Sequence, residues 1–385
     1  MFVPERAGQA LAAQADAFRR VADESAQLLS RYEAALRALA RMTAVQIDDR
    51  LGGVPWPGAR PTVELDRRGL IIPFGITWQS AEEARRWALA ALSGIPTAAV
   101  DGSQIPASKE FGVPVSLIQV AWFVNEHDAG RPYIKDVRDE VVTPENDDYL
   151  YADAALSRRR FALEMTAAVE QLHSLAGREH ALLFVDGTFV LSFAGRLAPE
   201  ARTGYLDALF DLLDTSERVQ VPVVGYVDLS LASDLAGLLA QACDLPAGSV
   251  FDGQILARSM RPFDRTAVFQ CARGDVLPYY RRDDSDRSGD LCFTYLQIGH
   301  DTLPVRLDLP RWVVESGRVD EVVDIIRAEI VVGTGYPYAL ETADAAAVLT
   351  TDDRLTFYRL YHEFAQRSGL NASVPAKSVS KARRR

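Results

Sequence analysis

The chain has 385 residues, of which 48% are hydrophobic and 25% are charged, and its formal net charge is −11. This composition indicates a globular protein with a large core, and no apolar run reaches the roughly eighteen residues that a membrane-spanning helix needs. Because phosphate neutralisation dominates non-specific binding to nucleic acids, the acidic balance counts against a protein that holds DNA through bulk positive charge.

The first predicted element is one long amphipathic helix over residues 6–46. Apolar residues such as Leu11, Phe18 and Leu29 recur there mostly at three- and four-residue steps, with charged residues between them. The stripe is close to a heptad repeat, so it suits packing within the chain or against a second subunit, and both remain open. Residues 50–78 are then rich in Gly and Pro.

The middle of the chain predicts a mixed sheet flanked by helices. A capping-box pattern at Ser80 opens a helix, and the apolar run Ile95–Val100 then predicts a strand that ends at Asp101 in a Gly-Ser turn. Further strands are predicted over 113–125, 133–142, 182–186 (continuing over 190–193) and 221–227, with helices over 151–175, 199–214 and 233–243. This β-β-β-α-β-α-β-α order is that of the α/β ribonuclease-H-like fold, in which the first and fourth strands are neighbours.

The C-terminal third predicts short strands followed by helices. Strands are predicted over 293–298 and 303–307, helices over 320–330 and 352–367, and a Gly333–Pro337 break before a helix that carries Glu341 and Asp344. Three regions follow from the whole pattern: an N-terminal helical region over 1–50, an α/β domain over 51–367 with C-terminal helical additions, and a loose, polar and basic tail over 368–385.

Two copies of one motif carry the candidate chemistry. Asp101-Gly-Ser and Asp186-Gly-Thr each follow an apolar run typical of a strand buried on both faces. In the ribonuclease-H-like order these two strands are neighbours, so the carboxylates would lie side by side. Asp-Gly is also a common turn dipeptide in which Gly supplies a positive φ, and a plain turn is the alternative for either copy alone. The pair together favours a divalent-metal site.

A glutamate on the helix before Asp186 is the expected third ligand. Glu164 lies in the apolar part of that helix and Glu170 nearer its C-terminal end, so Glu164 is favoured, with ordinary surface positions as the alternative for both. Three dispersed cysteines and five histidines without ligand spacing argue against zinc and against a disulfide framework. An all-oxygen ligand set points to Mn²⁺ or Mg²⁺, and the free cysteines fit a reducing cytoplasm.

Several segments resemble the motifs of the NurA nucleases, in that family's order. Ala99–Gln104 followed by Val113–Val120 resembles the first motif, Phe184–Thr188 the second aspartate motif, and Gly335–Leu340 the C-terminal motif. The matches stretch over about residues 95 to 350, most of the chain. Each motif is short, and it is the ordered set that makes the resemblance specific.

The resemblance implies a nuclease domain over 51–367 with a ribonuclease-H-like core and two bound Mn²⁺ or Mg²⁺ ions. Carried over, Asp101, Glu164 and Asp186 hold the metals. The family often has a histidine in the C-terminal motif, where this chain has Asp344. That change leaves a catalytic ligand role open for Asp344 and puts a histidine general base in doubt.

The resemblance also implies a biological role. NurA proteins cut single-stranded DNA, degrade DNA from 5′ ends, and act as dimers with a HerA-type hexameric ATPase in DNA end resection and homologous recombination. We therefore expect a cytoplasmic homodimer that gathers Arg258, Arg261 and Arg265 around a shared DNA channel. Two alternatives remain: another ribonuclease-H-like phosphodiesterase, such as a ribonuclease or resolvase, and a non-catalytic repair scaffold that acts through its N-terminal helix.

Overall fold

The computed structural model of the chain describes residues 2–107, 113–143, 152–246 and 248–370. The predicted basic tail lies almost wholly outside these described residues. The chain forms two compact units, each built from two stretches of sequence. Unit 1 consists of Met1–Ile76 and Val227–Arg311, and unit 2 of Thr77–Tyr226 and Trp312–Arg385. These two units are defined by their internal contacts. The three regions predicted from the sequence pattern, with boundaries at residues 50 and 367, stay a prediction.

Helices and strands are numbered in chain order. The helices are α1 (Pro4–Ala13), α2 (Ala15–Leu39), α3 (Ala44–Leu51), α4 (Val63–Arg68), α5 (Ala81–Leu92), α6 (Ala152–Leu175), α7 (Pro199–Val219), α8 (Asp234–Ala242), α9 (Asp252–Leu256), α10 (Arg311–Glu315), α11 (Val319–Val332), α12 (Tyr338–Ala347) and α13 (Thr351–Arg367). The strands are β1 (Gly58–Pro61), β2 (Ile71–Ile72), β3 (Thr97–Ile105), β4 (Ser116–Asn125), β5 (Ile134–Val142), β6 (Leu182–Asp186), β7 (Val223–Val227), β8 (Arg265–Thr266), β9 (Phe269–Ala272), β10 (Arg281–Arg282), β11 (Ser285–Asp286), β12 (Leu291–Leu296) and β13 (Val305–Pro310).

Unit 1 contains antiparallel strands in the order β1-β9-β12-β13, and the short strand β8 pairs with both β12 and β2. Strand β12, Leu-Cys-Phe-Thr-Tyr-Leu, is buried along its whole length, which explains its nearly continuous apolar sequence. Helices α2, α3, α8 and α9 pack against one another, and α8 also packs on β1. Several buried charged side chains lie in this unit and are paired with one another.

Unit 2 contains the sheet that the motifs predicted, in the order β7-β6-β3-β4-β5. Strands β7, β6 and β3 run parallel, and β4 runs antiparallel to both β3 and β5. The prediction that the strands of Asp101 and Asp186 are neighbours is confirmed. Helices α6 and α12 both pack on β3 and β4, and α6 packs against α7.

The prediction of one continuous N-terminal helix is wrong. Three helices, α1 to α3, take its place, with breaks at Gln14 and between Ala40 and Thr43. The second break has a local cause, because the Thr43 hydroxyl accepts from Gln46 N at 3.2 Å and the Gln46 side chain accepts from Thr43 N at 3.0 Å. That capping box starts a new helix. Nothing in the sequence or the structure explains the break at Gln14.

Two strand boundaries also differ from expectation. Strand β3 does not stop at Asp101 but continues to Ile105, and Gly102 pairs with Val120 of β4 within a regular ladder. Residues 190–193 do not extend β6, because they form a turn. The two Asp-Gly motifs therefore have different backbone settings, one inside a strand and one at a strand end. In the described residues, no helix has the length and apolarity to cross a membrane.

Candidate active site

Strand register places Asp101 and Asp186 next to each other. Val100 of β3 pairs with Val185 of the parallel strand β6, so the next residue on each strand is an aspartate. Asp101 is half-buried and Asp186 is exposed at the end of β6. Gly187 turns the chain away with a φ of 118°, in the left-handed region that favours glycine. The predicted turn function of Gly thus holds for the second motif.

Gly102 has a different function, which is to make room for Glu164. A Cβ atom on Gly102 would overlap Oε1 of Glu164 and lie 2.8 Å from its Cγ. Helix α6 packs on β3 at this point, so only a residue without a side chain lets the carboxylate lie against the strand. The Glu164 side chain is only 16% exposed. Of the two helical glutamates, Glu164 therefore lies beside the first aspartate motif.

Arg160 lies one turn before Glu164 and ties α6 to β3. Its Nη1 donates to the Gly102 carbonyl at 2.7 Å and is 3.4 Å from Glu164 Oε1. Glu164 Oε1 is buried and accepts no hydrogen bond from the residues that the structure describes, although the arginine charge is close. The sequence signal for this residue was its i, i+4 spacing from Glu164, a spacing that places two side chains on one helix face.

Electrostatics link four carboxylates, which we call the acidic cluster: Asp101, Glu164, Asp186 and Asp344. Burial raises the pKa of Asp101 to about 6, and the charges of Asp344 and Asp186 add to the rise. Burial likewise raises the pKa of Glu164 to about 8; Arg160 opposes this rise, and Asp101 and Asp186 add to it. Buried carboxylates that repel one another resist ionisation, which is the physical cause of both shifts.

Asp344 reaches the cluster from α12. It is exposed, as is Glu341 one turn earlier, and it is close enough for its charge to raise the pKa of Asp101. Side chains alternate between the two faces of a strand, so Asp101 lies on the same face as Thr97, which bonds to α11, whereas the Gly102 position faces α6. Asp101 thus points to one face of β3, and Glu164 packs against the other face.

The remaining candidates lie elsewhere. Glu170 is exposed and forms a bidentate pair with Arg138 of β5, at 2.8 and 3.0 Å. Arg265 is fully buried and bonds to the Glu64 carboxylate at 2.5 and 2.9 Å, so its predicted contact with DNA is wrong. Arg258 and Arg261 are exposed in unit 1, and their role in binding DNA stays a prediction.

The donor chemistry of the acidic cluster suits a hard divalent cation. Its ligands would all be carboxylate oxygens, and the buried Oε1 of Glu164 has no hydrogen-bond donor. In the part of the chain that the structure describes, no three His, Cys, Asp or Glu side chains converge closely enough to hold a metal ion as they stand. The predicted ligand set Asp101, Glu164 and Asp186 therefore stays a prediction.

One family model matches most of the chain. The NurA domain matches residues 96–349. The chain is similar to the NurA nuclease from Sulfolobus solfataricus, with 14% identity over 71% of this chain and 85% of that one and a TM-score of 0.46. Similarity to NurA with manganese (8%, 69% and 87%, TM-score 0.40) and to the catalytic domain of human endonuclease V (14%, 90% and 98%, TM-score 0.32) is weaker. No curated protein matches the chain.

Proposed function

Since the chain belongs to the NurA family, we propose that it is a metal-dependent nuclease that hydrolyses phosphodiester bonds in DNA. The observation that carries the proposal is the acidic cluster, in which the pKa of Asp101 is about 6 and that of Glu164 about 8. Carboxylates perturbed by burial and by one another are typical of functional sites. The strand order β7-β6-β3-β4-β5 supports a ribonuclease-H-like core for this site.

Asp101, Glu164 and Asp186 would hold the cation, either Mn²⁺ or Mg²⁺, and we propose two ions. When bound, such cations lower the pKa of a water nucleophile and neutralise charge on the phosphate and the leaving oxygen. Pairing of β3 with β6 ends at Val100 and Val185, whereas β3 continues to Ile105. That edge of β3 is where carboxylates from the two faces of the sheet can meet.

The other polar side chains have supporting roles in this proposal. Arg160, whose side chain is about a third exposed, holds α6 on the Gly102 carbonyl and offers a guanidinium beside the carboxylates. A planar guanidinium matches the geometry of a phosphate group. Asp344, which stands where the family often has a histidine, either completes the ligand set or orients water, and no histidine base is required of it.

Metal binding should change the protonation state of Glu164. With a pKa of about 8 it is mostly protonated at neutral pH, whereas a carboxylate ligand must be ionised. Binding of the cation therefore releases a proton from Glu164. The apparent affinity for Mn²⁺ should rise as the pH approaches about 8 and then level off.

The finer features of the function rest on the family resemblance. We propose that the chain is a single-strand endonuclease and a 5′-to-3′ exonuclease in DNA end resection, acting in the cytoplasm with a HerA-type hexameric ATPase. A subunit with a net charge of −11 should hold a polyanion poorly. A homodimer that gathers exposed arginines such as Arg258 and Arg261, together with a motor that threads DNA, would compensate.

The test is degradation of end-labelled single- and double-stranded DNA with and without Mn²⁺. Asp186→Asn should abolish cleavage, and Glu170→Gln is the matched control because Glu170 is exposed and outside the cluster. Mn²⁺ binding, followed by electron paramagnetic resonance, should weaken in Asp186→Asn and not in Glu170→Gln. Light scattering, with and without a HerA-type ATPase, tests the assembly.

Each alternative predicts a distinct outcome of this assay. Cleavage of RNA or of branched junctions in preference to linear DNA would indicate another ribonuclease-H-like phosphodiesterase. Binding of DNA without any cleavage, unchanged by Asp186→Asn, would indicate a scaffold and would contradict the proposal. A monomer at micromolar concentration that binds DNA tightly in high salt would contradict the dimeric assembly.

A further inference from the structure

Glu329 of α11 is a fully buried carboxylate with three partners on three different elements. Its Oε1 accepts from the Thr97 hydroxyl of β3 at 2.7 Å and lies 3.4 Å from Nε2 of His127, in the turn after β4. Its Oε2 accepts from the backbone N–H of Ala339, in α12, at 2.9 Å. A carboxylate is costly to bury unless each oxygen has a donor, and here each one has.

The contact with Ala339 supplies what α12 lacks. A helix begins with N–H groups that have no partner within the helix, and a side chain at the N-cap usually accepts from one of them. The N-cap of α12 is Pro337, which has no side-chain acceptor. The turn before it is tight, since a Cβ on Gly333 would overlap the Tyr336 carbonyl oxygen. Glu329, ten residues before Ala339, accepts from the Ala339 N–H and so caps the helix instead.

The same carboxylate therefore holds the two elements that carry Asp101 and Asp344. Thr97 and Asp101 are four residues apart on one face of β3, a distance of about 13 Å along a strand. Ala339 and Asp344 are five residues apart in α12, about 7 to 8 Å along the helix axis. Asp344 in turn lies close enough to raise the pKa of Asp101. Glu329 thus links β3 to α12, the two elements that carry Asp101 and Asp344.

We propose that Glu329 is a positioning residue for the acidic cluster, holding β3 and α12 so that Asp101 and Asp344 face the same cation. This inference rests on the proposed nuclease function for its activity readout. Glu329 itself is buried behind the strand and contacts neither substrate nor metal. Its effect passes through the hydrogen bonds of Thr97 and Ala339.

A matched pair of variants at Thr97 separates positioning from plain stability. Thr97→Val keeps the shape of the side chain and removes the donor, whereas Thr97→Ser keeps the donor and removes a methyl group. At a temperature where both are folded, the Mn²⁺ concentration for half-maximal cleavage should rise roughly tenfold in Thr97→Val, the effect of about one lost buried hydrogen bond. In Thr97→Ser this Mn²⁺ concentration should stay within about twofold of the wild-type value. The order of the two variants should not depend on which of them has the lower melting temperature.

Hydrogen exchange on the metal-free protein gives a readout that does not need activity. Glu329→Met keeps the length of the side chain and removes both carboxylate oxygens, so the hydrogen bonds from Thr97 and from the Ala339 N–H are both lost. Exchange should speed up in the segment of α12, residues 338–347, and should not change in α13, residues 351–367, which has its own cap at Thr350. Asp324→Asn is the control on the same helix, because Asp324 is about half exposed and pairs only locally with Arg327.

The inference is overturned if the Mn²⁺ requirement of the two Thr97 variants follows their melting temperatures and not the hydroxyl group. Unchanged exchange of α12 in folded Glu329→Met would overturn it as well. If the wild type does not cleave DNA, the proposed function fails, and the exchange experiment together with Mn²⁺ binding by paramagnetic resonance still decides whether Glu329 holds α12 and the metal-binding side chains.

Discussion

Two clusters of buried charge, one in each unit, are arranged in opposite ways. In unit 1 the Arg306 guanidinium, 3% exposed, donates to Asp234 at 2.9 Å and to Asp308 at 2.7 Å, and it lies over the ring of Phe293. In unit 2 the acidic cluster contains four carboxylates, and Arg160, whose charge lowers the pKa of Asp101 and of Glu164, donates to a backbone carbonyl. The first arrangement is neutralised within the protein, and the second would be neutralised by a ligand.

Asp252 shows that a raised pKa does not by itself mark a site. Burial, together with the charge of Asp234, raises its pKa, just as burial raises those of Asp101 and Glu164. Asp252 nevertheless accepts from the N–H groups of Leu235 and Ala236, which begin α8, and from the Tyr295 hydroxyl. Its function is structural. What distinguishes Glu164 is that its buried Oε1 accepts no hydrogen bond.

The largest expected effect is on activity, in unit 2. Asp101→Asn should lower the rate of Mn²⁺-dependent cleavage by roughly 10² to 10³-fold or more, since it removes a carboxylate that would hold the cation. The free energy of unfolding, measured by urea denaturation without metal, should stay the same or rise, because one source of repulsion is gone. Full activity in this variant would remove Asp101 from the site.

The next effect is on stability, in unit 1. Arg306→Met should lower the free energy of unfolding by about 3 to 5 kcal/mol, because Asp234 and Asp308 would keep their burial and lose their counter-charge. Urea denaturation at pH 7 is the measurement. Arg258→Met is the control, since Arg258 is 78% exposed and 3.4 Å from Glu33. A variant as stable as the wild type would show that Asp234 and Asp308 do not need the Arg306 charge.

The stability of Glu164→Gln, measured by urea denaturation over a range of pH, tests whether the acidic cluster of unit 2 lacks internal neutralisation. The folded pKa of Glu164, about 8, lies above its ordinary value of 4.5, so ionisation costs the wild type stability as the pH rises between those values. In EDTA the variant should match the wild type near pH 4 and exceed it by roughly 4 to 5 kcal/mol near pH 9. A difference that does not change with pH would mean that Glu164 is not buried among like charges.

The sequence was most informative where one strand pattern was long and regular. The strands predicted over 113–125 and 133–142 correspond to β4 and β5, and the neighbouring placement of Asp101 and Asp186 followed from the element order. The pairing of Arg265 with Glu64 could not be predicted, because the two residues are 201 positions apart. A cluster of arginines has the same sequence pattern whether it is buried or exposed. The two-residue strands β2 and β8 carry too few side chains for a pattern.

The same limit applies to the two Asp-Gly motifs, which are alike in sequence and differ in structure. Gly187 needs its left-handed backbone, with a φ of 118°, whereas Gly102 lies in a regular strand and needs only the absence of a side chain. A dipeptide cannot show which requirement applies, because the second depends on Glu164, more than sixty positions later. The structural distinction leads to the smallest of the predicted effects.

Gly187→Ala should lower the free energy of unfolding by about 1 to 2 kcal/mol, since an alanine is strained at that φ whatever the space around it. Gly102→Ala should cost less than about 1 kcal/mol, because alanine is tolerated in a strand and the overlapping group is a side chain that can move. The cost arises from Glu164, so in a Glu164→Ala background Gly102→Ala should become neutral or stabilising, while the cost of Gly187→Ala should remain. Urea denaturation of this double-mutant cycle measures the coupling directly. Equal costs of Gly102→Ala in both backgrounds would mean that Glu164 does not lie against β3, and the contrast between the two motifs would be lost.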